Sequence, residues 1–180
     1  MQPAHDSSDA EVITSVLEGK TQQFAILVER YQGRLEGFVT KFFRSTTHTG
    51  DLVQETFLSA YQDLAKLRDA SSLKSWLFGI AYRKCLHHSR QIRIAQKAMQ
   101  HATTGYSEAA PSSEETGNSQ STGNNALALL NCLPPLDSLL VWLHYIEEMP
   151  YLEIAEMVEL NDATVRQRCR RALLQLRERV

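Results

Sequence analysis

From His101 to Leu160 the chain has no lysine and no arginine, while nine acids fall in the same stretch. So depleted a segment repels phosphate, and any contact with a polyanion must come from elsewhere in the chain. Cysteine is scarce as well. Cys85, Cys132 and Cys169 are unevenly spaced and form no CxxC pair, which argues against a disulfide framework and against a zinc site. Cys85 with His87 and His88 comes nearest to a ligand cluster, but adjacent helical residues point about 100° apart and no second cluster completes a site. No stretch approaches the roughly 20 apolar residues that span a bilayer, and no basic start followed by an apolar run marks a secretory leader. The expectation is a soluble, cytoplasmic protein without membrane insertion. Strand-like alternation is missing from both halves, so the core must be helical. Pairs of acid and base, or of nucleophile and base, are missing at any usable spacing. Neither an enzyme nor a bound cofactor or metal is expected.

What is present is positive charge in two places. The formal net charge is -2, which says little about partners. Its distribution says more. Lys66, Arg68, Lys74, Arg83, Lys84, Arg90, Arg93 and Lys97 lie between positions 66 and 100 against Asp69 alone. Positions 161 to 180 hold six arginines against Asp162 and Glu178. Two separated basic faces suggest two contacts with a phosphate backbone.

The chain reads as all-α: two small helical domains joined by a flexible linker. The linker is residues 101–125, where Ser, Thr, Gly and Asn crowd out large apolar residues. Such a segment buries too little surface to offset its ordering entropy. Residues 1–100 carry four helical signals. Ser8 and Glu11 form a capping box ahead of a short helix that ends near Gly19. Thr21 to Thr47 places Phe24, Leu27, Val28, Tyr31, Leu35, Phe38, Val39 and Phe42 on one face. Asp51 caps a helix to Leu67 that buries Val53, Phe57, Ala60, Tyr61 and Leu64. A last helix starts at Ser72 and runs into the basic stretch, with Leu73, Trp76, Leu77, Ile80 and Ala81 inward.

Residues 126–180 end in two short helices. The first, Pro150 to Leu160, begins with a proline where a missing N–H costs nothing. The tight connection Glu159-Leu160-Asn161 follows, with Asn161 or Asp162 as N-cap of the second helix. Val165, Cys169, Ala172, Leu173 and Leu176 make its inner stripe and leave Arg166, Gln167, Arg170 and Arg171 outside. This is the pattern of a helix-turn-helix, whose second helix enters the major groove of DNA.

The order of long helix, DLVQETF, SWLFGIAYRKCL, basic run, polar linker, LPP, YLEIAEMV and TVRQRCRRALLQLRE resembles a bacterial sigma factor of the extracytoplasmic-function (ECF) type. The resemblance implies that the first block, a four-helix sigma domain 2, docks on core RNA polymerase through Asp51, Leu52, Gln54, Glu55 and Leu58. It implies that Arg68, Ser71, Ser72, Lys74, Tyr82, Arg83 and Arg90 hold the melted minus-ten promoter element, Tyr82 by stacking a base, with Trp76 in the core. For the second block, sigma domain 4, it implies that Ala163, Thr164, Arg166, Gln167, Arg170 and Arg171 read the minus-thirty-five element. Thr164 is then placed for a phosphate at the helix N-terminus, Arg166, Gln167 and Arg170 for base edges, and Arg171 for phosphate. The partners implied are core RNA polymerase, promoter DNA and an anti-sigma factor, the last expected by the resemblance because no long extra domain follows Val180 to suggest built-in regulation, with the apolar, base-free surfaces between His101 and Leu160 as its place of binding.

The sequence departs from the family pattern at Thr49, Gly50, Arg83, His87 and Ser138. These positions bear on the strength of docking and on the sequence melted. Two other functions fit the same residues: a helix-turn-helix regulator that never joins polymerase, and an inactive sigma-like interaction module. Co-purification with core polymerase separates the first from a sigma factor, and promoter-specific transcription separates the second.

Overall fold

A computed structural model of the chain describes residues 7–102 and 130–178. Among the described residues there are seven α-helices and no strand. Most of the expected linker lies outside them.

The first helix, α1 (Asp9–Leu17), starts where its capping box predicts: Glu11 N–H donates to Ser8 Oγ at 3.3 Å and Ser8 N–H to Glu11 Oε2 at 2.8 Å. Asp9 then ties it to the next helix. It accepts from Arg30 at 2.7 Å and from the Tyr31 hydroxyl at 2.6 Å. Burial and Asp9 hold the Tyr31 phenol well above its ordinary pKa, so it stays a donor.

Helix α2 (Phe24–Phe43) buries Leu27, Tyr31, Leu35, Phe38 and Val39 along the expected stripe. It stops four residues short of Thr47. Arg44 adopts the left-handed conformation, φ 53°, and Thr47 N–H donates to Ser45 Oγ, the local side-chain bonding that competes with a continuing helix. Helix α3 (Thr49–Asp63) therefore begins earlier than Asp51, with His48 as an N-cap that makes no side-chain bond. Asp51 is not the cap. It sits in the first turn, where an acid still complements the helix dipole. After a short 3-10 turn, α4 (Leu73–Ala102) packs its apolar half on α2 and α3 and carries its basic half beyond them.

In the second unit, α5 (Pro135–Tyr145) begins with Pro135 at its first position. Pro150 is the N-cap of α6 (Tyr151–Val158), and Asn161 caps α7 (Asp162–Arg177). Val165, Cys169 and Ala172 face the core as expected, but Leu173 is 37% exposed. Its place in the inner stripe is corrected: it sits at the edge of the stripe, while Leu176, one turn on, is half-buried and packs against the core.

The two units share one apolar core. The indole of Trp142 on α5 lies 6.2 Å from the ring of Phe38 on α2 and 6.2 Å from that of Phe78 on α4, centroid to centroid. Helix α6 lies along α4, with Met157 beside Gly79. Polar contacts ring this seam. Arg44 donates to the Leu133 carbonyl at 2.6 Å and Lys41 to Asn131 at 2.9 Å. Desolvation and the neighbouring Arg44 bring the Lys41 ammonium down to about 8. Arg34 pairs at 2.8 Å with Glu147, a buried carboxylate in the turn between α5 and α6, while Lys74 donates to the Glu147 carbonyl.

Candidate nucleic-acid interface and docking face

The geometry of α7 follows from its entry turn. Glu159 takes the left-handed conformation, φ 57°, and Leu160 N–H returns to the Ala155 carbonyl at 3.0 Å, which ends α6 sharply. Asn161 Oδ1 then accepts the N–H of Thr164 at 2.7 Å. This backbone donor is already used, and the half-buried Thr164 is left its hydroxyl for a phosphate. Ala163, Arg166, Gln167, Arg170 and Arg171 are exposed on the outer face. Arg168 is set apart from them. It donates to Asp137 on α5 at 2.6 Å and fastens the helix to its own unit. The thiol of Cys169 beneath it is buried and pushed up to about 11, and Cys85 on α4 to about 12, so both are inert packing groups.

The loop before α4 is organised by Asp69. Its carboxylate accepts the Ser71 N–H at 2.9 Å and the Ser71 hydroxyl at 2.6 Å, and its carbonyl accepts the Ser72 hydroxyl at 2.7 Å. These bonds hold its carboxyl below the usual range. Both serines are thus fixed in a defined loop beside exposed Arg68. On α4 itself Arg83 and Arg90 are exposed. Two expected promoter contacts are placed otherwise. Lys74 is half-buried and engaged by the Glu147 carbonyl. Tyr82 is half-buried, edge-on to Phe42 at 6.0 Å, and its phenol pKa is raised by burial and by Glu159 from the second unit. Neither presents a free face to DNA in this arrangement. Trp76 packs partly against the core, as expected.

On α3, Asp51, Gln54, Glu55 and Leu58 are exposed, Leu58 to 55%. Leu52 is corrected: it is only 4% exposed and its side chain belongs to the core. Helix α3 is buried on two sides. Val53 and Phe57 line a groove of ≈ 420 Å³ shared with Phe24 and Val28 of α2, and Leu52 lies on the side facing α4. Tyr61, expected inward, is 42% exposed and packs edge-on against Phe24 at the rim of that groove. Among the described residues no cluster of three or more metal-ligating side chains occurs, and no helix is long and apolar enough to cross a membrane.

Sequence reasoning missed two groups. One is Glu147, whose partner lies on a distant helix. The other is Asp162, which holds Arg166 at 2.9 Å; its i,i+4 spacing was a readable signal.

The chain matches the family described as Sigma-70 region 2 over residues 27–93 and that described as Sigma-70, region 4 over residues 124–176. It is 26% identical over 177 residues to the ECF RNA polymerase sigma-E factor of Haemophilus influenzae, covering 94% of this chain and 93% of the relative. Among solved structures, CnrH in complex with the cytosolic domain of CnrY superposes with a TM-score of 0.64 at 22% identity, covering 96% of each chain. The sigma factor RpoE of Bartonella quintana, solved with the anti-sigma factor NepR, gives a TM-score of 0.64 at 21% identity over 87% of this chain and 96% of that one. At these identities the structural likeness establishes the fold.

Proposed function

The chain belongs to the sigma-70 family as a sigma factor of the ECF type, and from that premise we propose how its surfaces divide the work of transcription initiation. A sigma factor directs polymerase to promoters and performs no catalysis of its own. Residues 1–100 are the docking and minus-ten domain, residues 101–125 the linker, and residues 126–180 the minus-thirty-five domain. Asp51, Gln54, Glu55 and Leu58 meet core polymerase, with the apolar groove between α2 and α3 as their continuation. Arg68, Ser71, Ser72, Lys74, Tyr82, Arg83 and Arg90 serve the melted minus-ten strand. Arg166, Gln167 and Arg170 read base edges upstream, and Thr164 and Arg171 hold phosphate.

The observation that carries this reading is the pairing of two exposed basic faces on separate helices, α4 and α7, in a chain whose middle is acidic. Because Lys74 is engaged by the Glu147 carbonyl of the second unit and half-buried Tyr82 lies within the electrostatic reach of Glu159, these two minus-ten contacts form only after that unit moves off α4. The isolated chain therefore binds duplex DNA weakly and acquires promoter affinity with polymerase. Its working place is the cytoplasm. An anti-sigma factor, of the kind found with RpoE of Bartonella quintana, is the partner that would keep it idle.

Run-off transcription with purified core polymerase on a random promoter library tests this function. Enrichment of a bipartite promoter is expected. Transcription indistinguishable from core polymerase alone would overturn it.

A further inference from the structure

Arg166 is not a free side chain waiting on the recognition helix. Its Nε donates to Asp162 Oδ1 at 3.1 Å and its Nη2 lies 2.9 Å from Asp162 Oδ2, a side-on pair one turn along α7. The guanidinium carbon sits 5.5 Å from the ring centroid of Tyr151, the first residue of α6. That ring is itself stacked on His144 of α5, centroids 3.7 Å apart and planes 22° apart. His144 is anchored in turn: its Nδ1 is 2.9 Å from the carbonyl of Met149, which only accepts, so Nδ1 carries the proton. Met149 is fully buried, and the Tyr145 ring packs edge-on against His144 at 4.7 Å between ring centroids. A ladder of flat groups thus runs from the core of the second unit to the guanidinium, with a carboxylate fixing its final rung.

The chemistry of this hold is selective. A guanidinium has a side edge, formed by Nε and one Nη, and an end edge, formed by Nη1 and Nη2. Asp162 occupies the side edge. Only the end edge remains for a partner, and its two parallel N–H groups match O6 and N7 of guanine. An arginine on a flexible stem would otherwise lose its freedom at the moment of binding, and one held beforehand loses less.

We propose that Asp162 and Tyr151 are positioning residues that present the end edge of Arg166 and so set the base preference at one position of the upstream element. This rests on the reading of α7 as the minus-thirty-five helix and names residues beyond it. Asp162 does not touch DNA; it acts through Arg166, and Tyr151 supplies the face against which the guanidinium lies.

The test uses the full chain with core polymerase on promoters randomised in the upstream element, together with thermal melting of each variant. Arg166→Ala should abolish a guanine preference at one position. Asp162→Asn and Tyr151→Leu should each lower that same preference roughly fivefold and leave the other positions unchanged, since a weakened hold degrades one bidentate contact rather than the whole interface. Tyr151→Phe keeps the ring face and should keep the preference. If Arg166→Ala loses the preference while Asp162→Asn and Tyr151→Leu retain it, the positioning role is wrong and the reading of α7 stands. If Arg166→Ala changes no position, the reading of α7 at this residue falls and the positioning role with it. If Asp162→Asn raises output on all sequences alike, Asp162 is only a competitor for the guanidinium and the proposal is overturned.

Discussion

The carboxylate of Glu147 lies 2.8 Å from Arg34 Nε across the seam between the two helical units, and the two side chains are unequally buried, at 4% and 42% exposure. Removing either partner therefore has a different consequence. Without Arg34, a nearly dry carboxylate keeps only the longer-range attraction of Lys74. Without Glu147, an arginine already half in water is simply hydrated. Arg34→Ala should cost about 2–3 kcal/mol and Glu147→Ala about 1 kcal/mol, measured by urea unfolding. Equal losses would mean that burial of the carboxylate is not what makes the pair lopsided.

Acid should tighten the same seam. Burial raises the Glu147 carboxyl above its ordinary pKa, with Arg34 and Lys74 opposing the rise. The folded chain then binds this proton more tightly than the unfolded chain. Its contribution is full below the unfolded value and is lost as pH rises through the folded one. As pH falls through the folded value toward the carboxyl's ordinary one, the parent should gain stability relative to Glu147→Gln, which has no proton to bind. Parallel stability profiles for the two proteins would contradict this.

Docking should be separable from folding. Asp51, Gln54 and Glu55 are exposed on a helix whose buried sides are supplied by Leu52, Val53, Thr56 and Phe57. The triple change to alanine should melt within a few degrees of the parent, because exposed substitutions fall within about 0.5 kcal/mol each. Its affinity for core polymerase, followed by gel filtration or fluorescence anisotropy, should drop at least about tenfold if the three lie in the hot part of the interface. Unchanged affinity would remove these residues from it.

One departure from the family pattern leaves a physical mark. Ser138 is buried on α5 and its hydroxyl has no hydrogen-bond partner among the described residues. Ser138→Ala removes a desolvated donor at almost constant volume and should raise stability by about 1 kcal/mol, or about 2–4 °C in Tm. A loss of stability would show that the hydroxyl is satisfied in solution.

Local signals were the legible ones. The Ser8 and Glu11 box, the stripe on α2 and the Asn161 cap each depend on residues within a few turns of one another, and each was found in place. The start of α3 was not legible, because His48 offers no side-chain cap to announce it. Leu52, placed at the docking face by the resemblance, is instead buried because α3 is covered on two sides and periodicity announces only one of them. The seam was invisible for another reason. Nothing periodic links Glu147 to Arg34 or Trp142 to Phe38, and only the folded chain brings them together.

Trp142 has a consequence for how the two units separate. Its indole is 6% exposed, set beside Phe38 and Phe78. Burying a tryptophan removes about 150–250 Å² from water, so uncovering even half of it costs on the order of 2–3 kcal/mol. A chain that opened in plain solvent would carry an adhesive aromatic patch, a liability for colloidal lifetime as well as for energy. On the proposed opening, separation is an exchange of apolar neighbours, and its speed follows the arrival of whichever surface replaces the old one.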